Sequence, residues 1–142
     1  FKNGEYIASS GKRNDIEVVQ LSPLQVIRRL ESHTEWINSI LLRTIKTQSN
    51  STEEVLLSVS DDKKLKYWML KEKETPIYDV KITGHPVHID CPENNSCVLV
   101  VSKNCWCVFE FQGTQPIYSK KLFSESNKDD SNELLYLNEE FK

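Results

Sequence analysis

The stretch Val55-Leu56-Leu57-Ser58-Val59-Ser60-Asp61-Asp62-Lys63-Lys64-Leu65-Lys66-Tyr67-Trp68-Met69 carries the clearest structural signal in the chain. Its first six residues are aliphatic or hydroxyl side chains, the kind that suit a pleated strand. Asp61-Asp62-Lys63 then supplies turn chemistry, because a short carboxylate side chain bonds the backbone just ahead of it. Beyond the turn, Leu65 and Tyr67 alternate with Lys64 and Lys66. Two short runs around a polar turn, with no 3.6-residue period, make a β-hairpin.

The same grammar extends in both directions. Strands are expected over 5–10, 15–21, 25–30, 36–42, 55–60, 65–70, 76–82, 87–91, 96–102, 106–111 and 117–123, with a last one over 133–138. Gly, Pro, Asn and Asp clusters separate them, as in Gly11-Lys12-Arg13-Asn14, Gly84-His85-Pro86 and Pro92-Glu93-Asn94-Asn95. Two polar segments, 43–54 and 124–132, read as surface loops. The chain is therefore expected to be all-β.

Three segments align on their turns. A strand ends in Ser10, Ser60 or Ser102; a polar turn follows; then come Ile16-x-Val18, Leu65-x-Tyr67 or Trp106-x-Val108. Each is followed by a further strand. Two of these lead into a His-bearing turn, Ser32-His33-Thr34-Glu35-Trp36 and Gly84-His85-Pro86.

The chain has 142 residues, of which 38% are hydrophobic and 27% charged, with a net charge of −3. That composition suits an ordinary globular domain. No apolar run approaches the ~18 residues of a membrane span, so no membrane partner is expected. Residues 1–48 carry net charge +2 and residues 123–142 carry −4. A uniformly basic nucleic-acid clamp is thereby disfavoured, while a local basic patch in the first third stays open. Within that third, Lys12 and Arg13 share one tight turn, and Arg28-Arg29 follow nearby. Cys91, Cys97, Cys105 and Cys107 lack the close pairing that wraps zinc and are expected to be reduced, which favours an intracellular protein. The chain begins at Phe1 rather than Met and reads as a fragment or processed product.

No catalytic constellation emerges. His33, His85 and His88 sit in turns or at a strand start, and His85-x-x-His88 lacks the i, i+4 spacing of a helical metal pair. The four glycines form no phosphate loop, and no Gly-x-Ser-x-Gly elbow occurs. Asp61-Asp62 is explained by its turn. No catalytic residue, resident cofactor, metal or small-molecule ligand is expected.

The repeat resembles the WD-repeat family of β-propellers. The best copy runs from His33 to Trp68, a separation of 35 residues, with Ser60 and Asp62 between them. Blades of that family hold a His, a hydroxyl, a turn Asp and a strand Trp in one buried hydrogen-bonded network. In the other copies Val19 and Phe111 stand where the Trp would be, and Met69 replaces the usual Asp after Trp68. The resemblance implies a WD40-type propeller with about three blades of a seven-bladed ring. These fall over approximately 1–42, 36–91 and 87–138, with shared outer strands. At ~40–45 residues per blade, such an arc would leave open edges.

A narrower resemblance is to the WD-repeat, non-catalytic subunit of the tRNA guanine-N7 methyltransferase complex. It rests on residues 6–18 running on to the His33 turn, on 55–69, and on 95–101 with 108–112 and 117–122. The resemblance implies a heterodimer in which the catalytic partner binds S-adenosylmethionine and methylates a guanine of the tRNA variable loop. It assigns partner binding to Lys12, as an ion-pairing contact, and to Arg13, as a second contact or an RNA neighbour. It also implies a nuclear location, with the cytoplasm as a second compartment. The alternative is a WD-repeat scaffold of another intracellular assembly, of ribosome-biogenesis or Elongator type.

Overall fold

The computed structural model describes residues 6–11, 14–46, 51–70, 76–92, 97–112 and 115–124. Eleven strands form three antiparallel sheets among these residues. The first sheet is β1 (Tyr6–Ser10), β2 (Asp15–Leu21) and β3 (Leu24–Glu31), in that order. The second runs β4 (Ile37–Lys46), β5 (Thr52–Ser60), β6 (Lys64–Met69) and β7 (Tyr78–Lys81). The third runs β8 (Pro86–Asp90), β9 (Cys97–Ser102), β10 (Cys105–Gln112) and β11 (Gln115–Ser124). Every sheet neighbour is also a sequence neighbour. Short connections carry the chain from the last strand of one sheet to the first strand of the next.

The 55–69 hairpin forms as its sequence suggests. β5 and β6 pair around Asp61–Lys63, with Val59 opposite Leu65 and Leu57 opposite Tyr67. Residues 55–60 are buried without interruption because β5 is covered on both faces. Val55, Leu57 and Val59, with Leu65 and Tyr67, pack against the third sheet's Ile89, Val98, Val100, Cys107 and Phe109. Leu56 and Trp68 face the other way and pack with Ile16, Val18 and Leu30 of the first sheet. Trp68 is fully buried there. A side chain of that size is worth about 3 kcal/mol of apolar transfer. β4 lies beside both β1 and β8, so the first strands of the second and third sheets are spatial neighbours. The three sheets thus stand face to face in an arc, like successive propeller blades.

Several sequence expectations change. Arg43–Lys46 and Thr52–Glu54 are not loop: β4 and β5 continue as a ladder, with Arg43 opposite Val55 and Ile45 opposite Glu53. The reason is that Ile45 is buried on the core side while Thr44 beside it is exposed. Only 47–50 of that segment lie outside the described residues. Among the described residues, no strand is shared between sheets. The expected blade limits have residues 36–42 serving the first and second blades, and 87–91 the second and third. Instead, β4 pairs only within the second sheet and β8 only within the third. β3 and β7 already complete their sheets on the far edge, and each connection brings the chain back to the opposite edge of the next sheet. The expected strand 133–138 and residues 125–132 lie outside the described residues.

Register also relocates the third Trp position. Leu56, four residues before Ser60, faces Trp68; Val98, four residues before Ser102, faces Phe109. Phe109, rather than Phe111, is therefore the counterpart of Trp68.

Candidate partner-binding rim

Alternating strand direction brings five connections to one end of the arc. They are the β1–β2, β5–β6 and β9–β10 turns and the links from β3 to β4 and from β7 to β8. Their chemistry divides into an inner layer, which holds the end together, and an outer layer, which faces outward.

The inner layer is built on His33. Its Nδ1 lies 2.7 Å from Asp62 Oδ2, and its Nε2 lies 2.7 Å from Ser58 Oγ. Trp68 Nε1–H donates to the same Ser58 oxygen at 2.9 Å. The Asp62 carboxylate also accepts the backbone N–H of Thr34 at 3.2 Å and that of Lys64 at 3.0 Å. Burial holds the His33 pKa below its usual 6.5, even though the Asp62 hydrogen bond and charge pull it upward. The imidazole is therefore neutral at neutral pH. One proton arrangement satisfies all four groups: Trp68 donates to Ser58, Ser58 donates to His33 Nε2, and His33 Nδ1–H donates to Asp62.

This order, Ser–His–Asp, is that of a catalytic triad, yet the geometry argues for structure. Ser58 has no exposed surface, and the Trp68 N–H occupies its oxygen. A nucleophile needs room for an acyl group and donors for its oxyanion. Ser58 instead lies between two packed sheets.

The hydroxyl of this network is Ser58, not Ser60 as the spacing implies. Ser58 and Trp68 share the face turned to the first sheet, where His33 enters. Ser60 instead donates through its Oγ to Glu35 O at 3.0 Å and accepts Asp62 N–H at 3.1 Å. Ser102 repeats the first of these bonds, donating to Thr83 O at 3.2 Å. Ser60 and Ser102 thus tie the connections entering the second and third sheets to those sheets. Lys66, buried beside this layer, donates to Ser32 Oγ at 2.8 Å and to Asp79 Oδ2 at 3.0 Å.

The outer layer carries exposed groups. The Asp61 N–H donates to Trp36 O at 2.9 Å, and the Lys103 N–H donates to His85 O at 3.1 Å. Trp36 and His85 thereby hold equivalent positions in successive sheets. Trp36 is 59% exposed, and the His85 side chain is 56% exposed. Asn38 Nδ2 donates to Asp61 Oδ1 at 2.8 Å and to Pro86 O at 2.7 Å, joining the second sheet to the third.

Lys12 and Arg13 lie outside the described residues. Their neighbours Gly11 and Asn14 belong to the β1–β2 turn, and Asn14 Nδ2 donates to Thr34 O at 3.1 Å on the His33 connection. The other basic pair is engaged structurally: Arg29 pairs with Glu17 at 3.1 Å, and Arg28 donates to Leu70 O just after β6. His88 sits 3.5 Å from Ser39 Oγ, away from His85's partner Asp61. Among the described residues, no group of three or more His, Cys, Asp or Glu is arranged to hold a metal. The described cysteines are free thiols, with Cys105 and Cys107 buried. Sequence reasoning misses Ser58, Asn38 and Trp36. The serine spacing narrows the hydroxyl to Ser58 or Ser60 without choosing between them; Asn38 and Trp36 carry no signal without register.

No protein-family model matches the chain. No curated protein matches it either. Among solved structures, it is similar to the β-propeller domain of Cps50 (Swd1) from Myceliophteria thermophila, with a TM-score of 0.67 and 16% sequence identity. The match covers 94% of this chain and 40% of that chain. The fold is accordingly a partial WD40-type β-propeller.

Proposed function

We propose that this chain belongs to a non-catalytic propeller scaffold, and that its partner is the catalytic subunit of a tRNA guanine-N7 methyltransferase. The observation that carries the scaffold reading is the use of the His33 network. The groups there that sequence spacing could offer for catalysis are each satisfied by another protein group inside the fold. What is left outward is a rigid rim of turns, suited to docking rather than chemistry.

The narrower identification is supported by the three stretches of sequence resemblance. The β1–β2 turn lies on the same end as the other turns, next to the His33 connection. On this reading Lys12 forms an ion pair with a carboxylate of the methyltransferase, and Arg13 makes a second contact to the partner or to tRNA phosphate. The partner binds S-adenosylmethionine and transfers the methyl group. This chain contributes by shifting that partner toward its competent conformation. Nuclear residence belongs to the same proposal.

The test is co-purification of the intact protein from cells. A methyltransferase and tRNA in the eluate, with the methyltransferase depleted by Lys12→Glu, support the proposal. A large multisubunit assembly without them supports a scaffold of another complex.

A further inference from the structure

Trp36 is the most exposed aromatic side chain of the described residues. Its backbone carbonyl anchors the β5–β6 turn, a job that any residue could do. The His85 carbonyl does the same job one sheet further on, and its ring is also exposed. An exposed indole presents a flat π-face on which a planar cation can stack.

The groups around it define the partner's chemistry. Asp61, whose N–H bonds to the Trp36 carbonyl, has a side chain 44% exposed. Its Oδ1 is fixed by Asn38, while among the described residues Oδ2 has no hydrogen-bond partner. Asn38 is itself anchored to Pro86 O, so the carboxylate is held in place. Glu35, next to Trp36, is also exposed, and Asp62 is consumed by His33. The carboxylate offered beside the Trp36 backbone is thus that of Asp61, with Lys63 the opposing charge in the turn and the His85 Nδ1 4.0 Å from Asp61 Oδ1.

We infer that Trp36 and Asp61 form a recognition site for a cationic side chain of a partner protein, an arginine in an extended segment. The guanidinium would stack on the indole face and donate to the free oxygen of Asp61. Such a planar cation satisfies both groups at once, which an ammonium does less well. The site lies on the docking rim of the proposed scaffold and rests on that rim being the docking face. It does not depend on which enzyme the partner is.

The test uses the intact protein with nitrogen-15 labelling and N-acetyl-arginine amide as the probe. Saturable shifts are expected at the Trp36 indole N–H and the Asn38 side-chain amide. The uncharged isostere N-acetyl-citrulline amide is expected to leave both in place. The buried Trp68 indole serves as the fold control. Asp61→Asn, which keeps an acceptor for Asn38, is expected to weaken the arginine response roughly fivefold. Equal responses to both probes, an unchanged Asp61→Asn titration, or no saturable response would overturn the inference. So would displacement of the arginine probe by a short single-stranded oligonucleotide that stacks on Trp36. Loss of the methyltransferase from co-purification with an intact arginine response would defeat the proposed function alone.

Discussion

His33 Nδ1 and Asp62 Oδ2 lie 2.7 Å apart, across a sequence separation of 29 residues, and both side chains are almost fully enclosed. This pair joins the β3–β4 connection to the β5–β6 turn, and through Ser58 it reaches Trp68 at the interface of the first two sheets. The rim therefore inherits its rigidity from a buried network.

Asp62→Ala would leave the His33 N–H and two backbone N–H donors without their acceptor. A loss of about 3 kcal/mol is expected. Urea unfolding of the variant and wild type would measure it.

Ser58→Ala is expected to cost more than Ser60→Ala. The first removes the acceptor of Trp68 and the donor to His33 inside a closed interface, at about 2–3 kcal/mol. The second removes a bond to Glu35 O and one from Asp62 N–H at the partly buried end, at about 1 kcal/mol. Equal unfolding midpoints would show that the network hydroxyl has been misassigned.

Much of this is legible in the sequence, and the failures have physical causes. The hairpin at 55–69 declares itself because apolar alternation and turn chemistry agree there. His33, Asp62 and Trp68 can be chosen because their types suit a buried relay. Ser58 cannot be separated from Ser60, since both lie on the same face of one strand and only the entry point of His33 decides. The 43–54 segment misleads because a two-sided polar strand looks like a loop when a single residue, Ile45, carries its burial. Trp36 and Asn38 acquire meaning only from contacts between successive connections and sheets.

The His33 shift sets a pH dependence. Its folded pKa lies below the unfolded value of 6.5, so the unfolded chain binds its proton first as pH falls. The stability associated with neutral His33 is complete above about pH 6.5 and declines below it as pH drops toward the folded pKa. Unfolding midpoints measured between pH 8 and 5.5 should fall for wild type and fall less for His33→Asn.

Gly84 adopts a φ of 81° in the link from β7 to β8. An added Cβ would meet Ser102 Cβ at 3.2 Å and Cys105 Sγ at 3.3 Å. Gly84→Ala should therefore destabilise the chain by about 1–3 kcal/mol through backbone strain and crowding. The expected readout is a lower urea midpoint with an unchanged slope.

The scaffold proposal is tested most directly by quantitative mass spectrometry of what co-purifies with the intact protein, wild type against Lys12→Glu, at matched folded yield. Wild type should retain a methyltransferase and tRNA, and the charge reversal should deplete the enzyme while the propeller stays folded. Retention of the same methyltransferase by both forms, or its absence from the wild-type eluate, would refute the proposal.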